Sequence, residues 1–457
     1  MITKMTVKNF KSWKEAREVR FAPITALFGS NSSGKTSLLQ LLLMLKQTTE
    51  SPDRSQVLNL GDDKGYVELG TYNDIVFGHK GGTPLQWHVA WKLNKDLKIE
   101  DPEHKGSVLF KAGNIGFEAS LEQNGSGRVV VDHMSYDFSS WQFGMKRKSK
   151  EKNEYELFSE SSPNAPFFEF KRMRGRPWQL PAPAKCYGFP DQVKAYYQNA
   201  GFLADFELAF EELFSGVYYL GPLRDYPKRQ YIWAGAQPAD MGRRGEKVVE
   251  ALLASRDRKP IPRGKGLKRF TLEEYVARWL KELGLIHSFS VEQIAGGSNL
   301  YRVLVQKAPN SAKVLVTDVG FGVSQILPVL TICYYVPEGS TILMEQPEIH
   351  LHPSVQAGLA DVFLDAVKNR NVQIILESHS EYLLRRFQRR IAEDKLHSTD
   401  AALYFCGIKD GQSLLTELEI DLFGNITNWP KDFFGDQFEE MAAMNRAQME
   451  RKKAGRG

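Results

Sequence analysis

The chain has 457 residues, with 60 lysines and arginines against 55 aspartates and glutamates, a net charge of +5. That length supports about two to four domain-sized cores, and so small a basic excess permits contact with nucleic acid without requiring it. Cys186, Cys333 and Cys406 are far apart and outside C-x-x-C spacing, which argues against a disulfide framework or a zinc site. No apolar run approaches a membrane span, and the alternating N-terminus lacks the apolar centre of a signal peptide, so a cytoplasmic location without a membrane partner is expected.

In chain order, residues 1–8 alternate as a strand, the turn Asn9-Phe10-Lys11-Ser12 follows, and a second short strand is expected around 18–21. The apolar run 24–28 then enters Gly29, Ser30, Asn31, Ser32, Ser33, Gly34, Lys35 and Thr36, and a leucine-rich helical segment opens at Ser37. Strand, small-residue loop and helix fit the phosphate-loop pattern G-x-x-x-x-G-K-[ST]. The chemistry needs these residue types. Small side chains let backbone N–H groups reach the phosphates, Lys35 extends to the β and γ oxygens, Thr36 offers a hydroxyl to Mg²⁺, and the helix start aims its positive dipole end at the same anion. ATP and Mg²⁺ are the expected ligands.

Residues 1–84 read as the N-terminal lobe of a nucleotide-binding head. From 85 to 215 the character changes: strand-like alternation at 85–91 and 129–136, a charged piece at 146–152 and a proline-rich piece at 176–183 suggest a mixed α/β insertion with exposed loops. The charged piece reads as a solvated loop, with contact to DNA or RNA as the alternative. No sustained heptad pattern predicts a coiled-coil arm. Residues 216–309 read as a helical and β segment returning to the head.

The lobe 310–410 rebuilds a nucleotide-handling core. Thr317-Asp-Val-Gly320-Phe-Gly322-Val-Ser324-Gln325 is a glycine-rich turn feeding an apolar helix expected to begin at Ser324, a second helix N-terminus suited to an anion. The apolar strand 340–345 ends at Glu345, in the manner of a Walker B segment that helps hold Mg²⁺. Helical spacing across 354–369 and the apolar run 372–377, ending before Ser378-His379-Ser380, complete a strand, helix, strand unit. A right-handed crossover then brings Glu345 and His379 to the carboxyl edge of one parallel sheet, where His379 is suited to sensing phosphate.

These segments, over about residues 1–80 and 310–410, resemble ATP-binding-cassette ATPase heads, particularly the group containing the structural-maintenance-of-chromosomes, RecF-like and overcoming-lysogenization-defect proteins. The resemblance implies an α/β fold, a parallel-sheet nucleotide core plus an antiparallel β-subdomain, interrupted here by the insertion. It also implies a head-to-tail homodimer enclosing two ATP molecules, with Gly320, Gly322, Ser324 and Gln325 as the signature turn facing the partner's nucleotide. His379 would be the switch histidine, and Lys11 a basic residue near the phosphates. Tyr219-Leu-Gly-Pro-Leu-Arg224-Asp-Tyr-Pro-Lys-Arg229, Glu345-Gln-Pro-Glu-Ile-His-Leu-His-Pro353 and Gly424-Asn-Ile-Thr-Asn-Trp-Pro-Lys-Asp-Phe-Phe434 are similar to a bacterial family of AAA-type, RecF-like ATPases with a small C-terminal domain of unknown function. Its members resemble ATPase components of anti-phage defence systems with a separately encoded effector. The short region 411–457, with its basic tail, is expected to leave no room for a fused nuclease.

One departure bears on mechanism. Where the wider class carries a second carboxylate after the Walker B acid, this chain has Gln346. An amide orients water without accepting its proton, so slow hydrolysis is expected, with Glu348 as the substitute acid, expected to face the dimer seam. Gln346 and the lack of arms favour an ATP-dependent switch controlling an effector over a DNA-repair or recombination ATPase that remodels DNA by turnover.

Overall fold

A computed structural model describes residues 1–79, 82–100, 107–149, 154–163, 165, 167–175, 179–263, 266–430 and 437–453. Of the pieces singled out in the sequence, 150–152, 176–178, 431–434 and 454–457 lie outside the described residues.

The N-terminal alternation forms β1 (Ile2–Phe10) and β2 (Trp13–Arg20), and the wholly buried run after them is β3 (Ile24–Gly29). Residues 85–161 supply β4 (Leu85–Glu100), β5 (Val108–Gln123), β6 (Val129–Phe138), β7 (Trp141–Ser149) and β8 (Glu154–Ser161). These five continue the sheet begun by β1, in the order β2-β1-β4-β5-β6-β7-β8, with every neighbouring pair antiparallel. The segment read as an insertion is therefore hydrogen-bonded to the first strand of the chain, Met5 standing opposite Val89.

Further on come β9 (Val217–Leu220), β10 (Tyr231–Ile232), β11 (Ser288–Gln293), β12 (Leu300–Gln306) and β13 (Val314–Leu315). All but β9 make a small antiparallel sheet around β12. The last third adds β14 (Thr341–Glu345), β15 (Gln373–Glu377), β16 (Ala401–Lys409) and β17 (Gln412–Glu417). With β3 and β9 they form the central sheet, ordered β17-β16-β3-β15-β14-β9 and parallel except for the β16–β17 hairpin. That hairpin turns at Asp410 and Gly411, both at positive φ (52° and 73°), the geometry a two-residue type I′ loop requires.

Strands buried on both faces carry apolar residues at consecutive positions, and alternate ones enter opposite cores. Leu27, Leu343 and Ile375 face one core, shared with the helix Lys35–Glu50, the helix Leu203–Ser215 and the seven-stranded sheet. Ile24, Ala26, Phe28, Ile342, Met344, Ile374 and Leu376 face the other, covered by the helices Phe321–Tyr335, Pro353–Arg370 and Glu381–Ala392. The fold is α/β, a parallel nucleotide-type core with an antiparallel β layer, as expected. The parallel strands end together at one carboxyl edge, and the candidate residues gather there.

Candidate nucleotide site

The phosphate loop takes its shape from what presses on it. Gly29, at φ +141°, ends β3 so close to β16 that an added Cβ would lie 2.1 Å from the Cys406 carbonyl oxygen. Gly34 is left-handed at φ +91°, and a Cβ there would meet the Ser413 and Ser12 hydroxyls at 2.4 and 2.8 Å. Those two hydroxyls bond each other at 2.6 Å, and the Trp13 indole donates to the Gly34 carbonyl at 2.9 Å. The loop is thus clamped by the β1–β2 turn and the β16–β17 hairpin. Only glycine fits these two positions.

The helix Lys35–Glu50 starts behind Gly34 with no side-chain cap and no acidic residue in its first turn. Its leading N–H groups are therefore open to an external anion. The Ser33 hydroxyl is buried and has no partner among the described residues. An orphaned donor, a glycine-lined cradle and an uncapped helix start fit a nucleotide's phosphates. Lys35 curls back, its ammonium donating to the Ser30 and Gly29 carbonyls at 2.7 and 3.1 Å. Burial pulls its pKa down, partly offset by the carboxylates of Glu377 and Glu348.

A cavity of about 300 Å³ opens here, lined by Ser12, Asn31, Ser32, Ser33, Gly34, Lys35, Thr36, Ser37, Gln346, Glu377 and His379. The crossover, expected to bring Glu345 and His379 together, puts His379 at this cavity beside Gln346, the residue after Glu345. Gln346 sits at φ 45°, an unfavourable conformation for a non-glycine residue that the fold holds with a bond from its N–H to the Glu377 carbonyl (2.9 Å). The His379 ring lies beside Lys35 and the Gly29 backbone, and its pKa is lowered by burial first and by the Lys35 charge second.

Glu377 lines the cavity and accepts the Thr36 hydroxyl at 2.6 Å. The sequence reading did not single it out, although it ends its apolar strand just as Glu345 ends the neighbouring one, in register across the sheet. Glu345 does not line the cavity. Its carboxylate accepts from the Tyr219 hydroxyl at 2.8 Å, while the Arg224 guanidinium donates to its carbonyl at 3.3 Å. Burial raises Glu345 to about 7, against the pull of the Tyr219 bond. Arg224 is itself buried, with Nε and Nη1 lacking partners among the described residues, and desolvation lowers it to about 10. Tyr219 and Arg224 came into view in the sequence only as parts of a family-like motif; their role depends on β9 pairing with β14.

Three expectations are corrected by this geometry. Glu348 faces inward: it is buried, and one carboxylate oxygen accepts the Ser378 hydroxyl at 2.8 Å and the His379 N–H at 2.7 Å. Lys11, at φ 50° in the β1–β2 turn, donates to Gln40 on the phosphate-loop helix at 2.7 Å and does not line the cavity. The signature helix begins at Phe321, one turn earlier than Ser324, and Gly320 is its N-cap. The Ser324 hydroxyl donates to the Phe321 carbonyl at 2.8 Å, and Gly322 lies near Leu351 and Leu285. None of Gly320, Gly322, Ser324 and Gln325 lines the Lys35 cavity of the same chain, and the Gln325 side-chain nitrogen is buried without a partner among the described residues.

Three families match parts of the chain: an AAA ATPase domain over residues 1–166, an AAA domain described under the AbiEii toxin of a type IV TA system over 255–385, and a protein family of unknown function, DUF3696, over 396–444. No curated protein matches. Among solved structures, the SMC head domain from Thermotoga maritima is similar at 11% identity and a TM-score of 0.41, covering 92% of this chain and 99% of that one. An Smc head bound to the C-winged helix domain of ScpA gives 10%, 0.44, 92% and 98%, and an Smc head from Pyrococcus furiosus, bound to the C-terminal domain of ScpA, gives 10%, 0.42, 98% and 99%. The two AAA matches bracket the site: one holds the phosphate loop, the other Glu345, Gln346 and His379. The chain is similar to AAA-family ATPase domains in both parts that build its nucleotide site. No helix of the described residues is long and apolar enough to cross a membrane.

Proposed function

We propose that this protein is an ATP-dependent switch: it binds ATP with Mg²⁺, hydrolyses it slowly, and closes as a homodimer around two nucleotides to control a separate effector in anti-phage defence. The observation that carries the reading is the cavity in which Ser33, Lys35, Thr36, Gln346, Glu377 and His379 converge. The bound cation would neutralise phosphate charge. Thr36 and a strand-end carboxylate are the groups that would hold it, since a buried acid is the kind of oxygen donor such an ion prefers. Lys35 gives up its two carbonyl bonds to reach phosphate, and His379, whose ring lies beside Lys35, meets the same group. Gln346 orients water without taking its proton, which supports timing over rapid turnover.

That no residue of the signature turn lines its own chain's cavity, together with the exposed ring of Phe321 in that turn, supports completion of the site by a second copy. The defence setting draws on the AbiEii toxin named in the description of the family matched at 255–385. The matches themselves leave open a DNA-repair ATPase with nucleic-acid partners, and Gln346 favours the switch. The experiment is ATP titration combined with light scattering on three chains. Wild type should bind ATP and double its mass with it. Lys35→Ala should lose binding with unchanged circular dichroism, and Ser324→Arg should bind ATP yet stay monomeric. A mass indifferent to both ATP and Ser324→Arg would overturn the dimer, and undiminished affinity in Lys35→Ala would overturn the site.

A further inference from the structure

We infer that Glu377, at the end of β15, is the carboxylate that shares the divalent cation with Thr36, in a site where Glu345 is turned aside and the following position is the amide of Gln346. This rests on the nucleotide reading above and adds to it the residue that confers metal dependence.

The argument is geometric. Three acids stand close to the phosphate loop, and each has a different partner. Glu345 is engaged by the Tyr219 hydroxyl at 2.8 Å, and Glu348 by Ser378 and the His379 backbone. Glu377 alone among the three lines the cavity, and its bond is to the Thr36 hydroxyl, the group a phosphate loop offers to its cation. The two oxygens are 2.6 Å apart. Neighbouring ligands of an octahedral Mg²⁺ bound at about 2.1 Å stand about 3 Å from one another, so the pair is already spaced for one coordination sphere or for a ligand and the acceptor that orients it. β15 lies directly beside β3, which puts Glu377 one strand from the loop and Glu345 two. Glu377 is 4% exposed, and its backbone carbonyl holds Gln346 through the 2.9 Å bond to the Gln346 N–H. A buried carboxylate presented to a phosphate cavity is costly unless a cation meets it. Lys35, the nearest cation, has its ammonium on the loop carbonyls in this state.

The test is calorimetric titration of ATP into wild type, Glu377→Gln and Lys35→Ala, each with Mg²⁺ and with a chelator, joined to electron paramagnetic resonance of Mn²⁺ in the presence of ATP. The glutamine keeps the shape and the acceptor for Thr36, so Glu377→Gln should bind metal-free ATP like wild type. It should lose the gain from Mg²⁺, about 10- to 100-fold, and the ATP-dependent Mn²⁺ signal. Lys35→Ala should lose binding in both buffers. A Mg²⁺ gain preserved in Glu377→Gln would overturn the assignment and leave Glu377 as a brace for Thr36. Absence of ATP binding by wild type in both buffers would overturn the nucleotide reading and this assignment with it.

Discussion

Glu348 decides how the backbone of His379 is held. The Glu348 carboxylate is 6% exposed and accepts two donors from the segment after β15, the Ser378 hydroxyl and the His379 N–H. It therefore works on the histidine's backbone and leaves the cavity to Gln346 and Glu377. This separates two roles by substitution. Glu348→Gln keeps a carbonyl oxygen for both donors and should retain most of the wild-type ATP turnover, whereas losing a general base costs about 10²- to 10⁴-fold. Glu348→Ala strands two buried donors, a cost of about 1–3 kcal/mol for each unsatisfied group, and should lower both stability and turnover. Parallel rate measurements and thermal melts check this; turnover abolished in Glu348→Gln would make Glu348 the proton acceptor. The sequence showed the acid's place after Pro347 but not its direction, because direction follows from the neighbouring strand's loop.

At the scale of elements, legibility tracks locality. The phosphate loop, the strand ending at Glu345 and the crossover to His379 each carry their signal within a few residues; the loop and His379 meet at the cavity with Gln346, the residue after that strand, while Glu345 itself does not line it. The antiparallel sheet does not: β4 pairs with β1 across some eighty positions, so local alternation gave strands without their partner. The helix Leu203–Ser215 shows the same limit. Phe206, Phe210 and Phe214 fall at four-residue intervals, and Phe210 packs on Phe117 at 4.7 Å and on Trp91 at 6.0 Å. Beside them Glu207 accepts the Phe189 N–H at 2.6 Å, and burial pushes its pKa from 4.5 up to about 6. A carboxyl whose pKa is raised by folding stabilises the fold fully below pH 4.5, and that contribution fades as pH rises through 6. Glu207→Gln, neutral at every pH and still able to accept the bond, should therefore melt higher than wild type at pH 8, by about 2 kcal/mol of stability. The advantage should vanish by pH 4.5. Differential scanning calorimetry across that range checks it; a pH-independent difference would mean that packing, and not ionisation, separates the two chains.

Over the whole molecule, the phosphate loop belongs to the first lobe by sequence and to the last by contact. β3 lies between β15 and β16, and both partners come from the final third of the chain. Around the loop, Ser413 bonds Ser12 and crowds Gly34, the Cys406 carbonyl lies against Gly29, and Glu377 accepts Thr36. Farther along, the Arg20 guanidinium reaches Glu417 and the Ala401 carbonyl, and the Gln373 amide bridges Ile2 and Ala22. A cut between residues 215 and 216 separates all of these pairs at once. The fragment 1–215 contains every phosphate-loop residue, yet both edges of β3 lose their backbone partners, which favours association with other chains over a native sheet. The fragment 216–457 contains Glu345, Gln346, Glu377 and His379 around an empty strand position. Neither should bind ATP alone, and co-expression should yield a complex that does, with affinity near that of the intact chain. Titration of the separated and the co-purified fragments checks this. If 1–215 alone bound ATP as tightly as the whole protein, the loop would hold its shape without Ser413, Cys406 and Glu377, and the contacts drawn from the last third would be incidental to nucleotide binding.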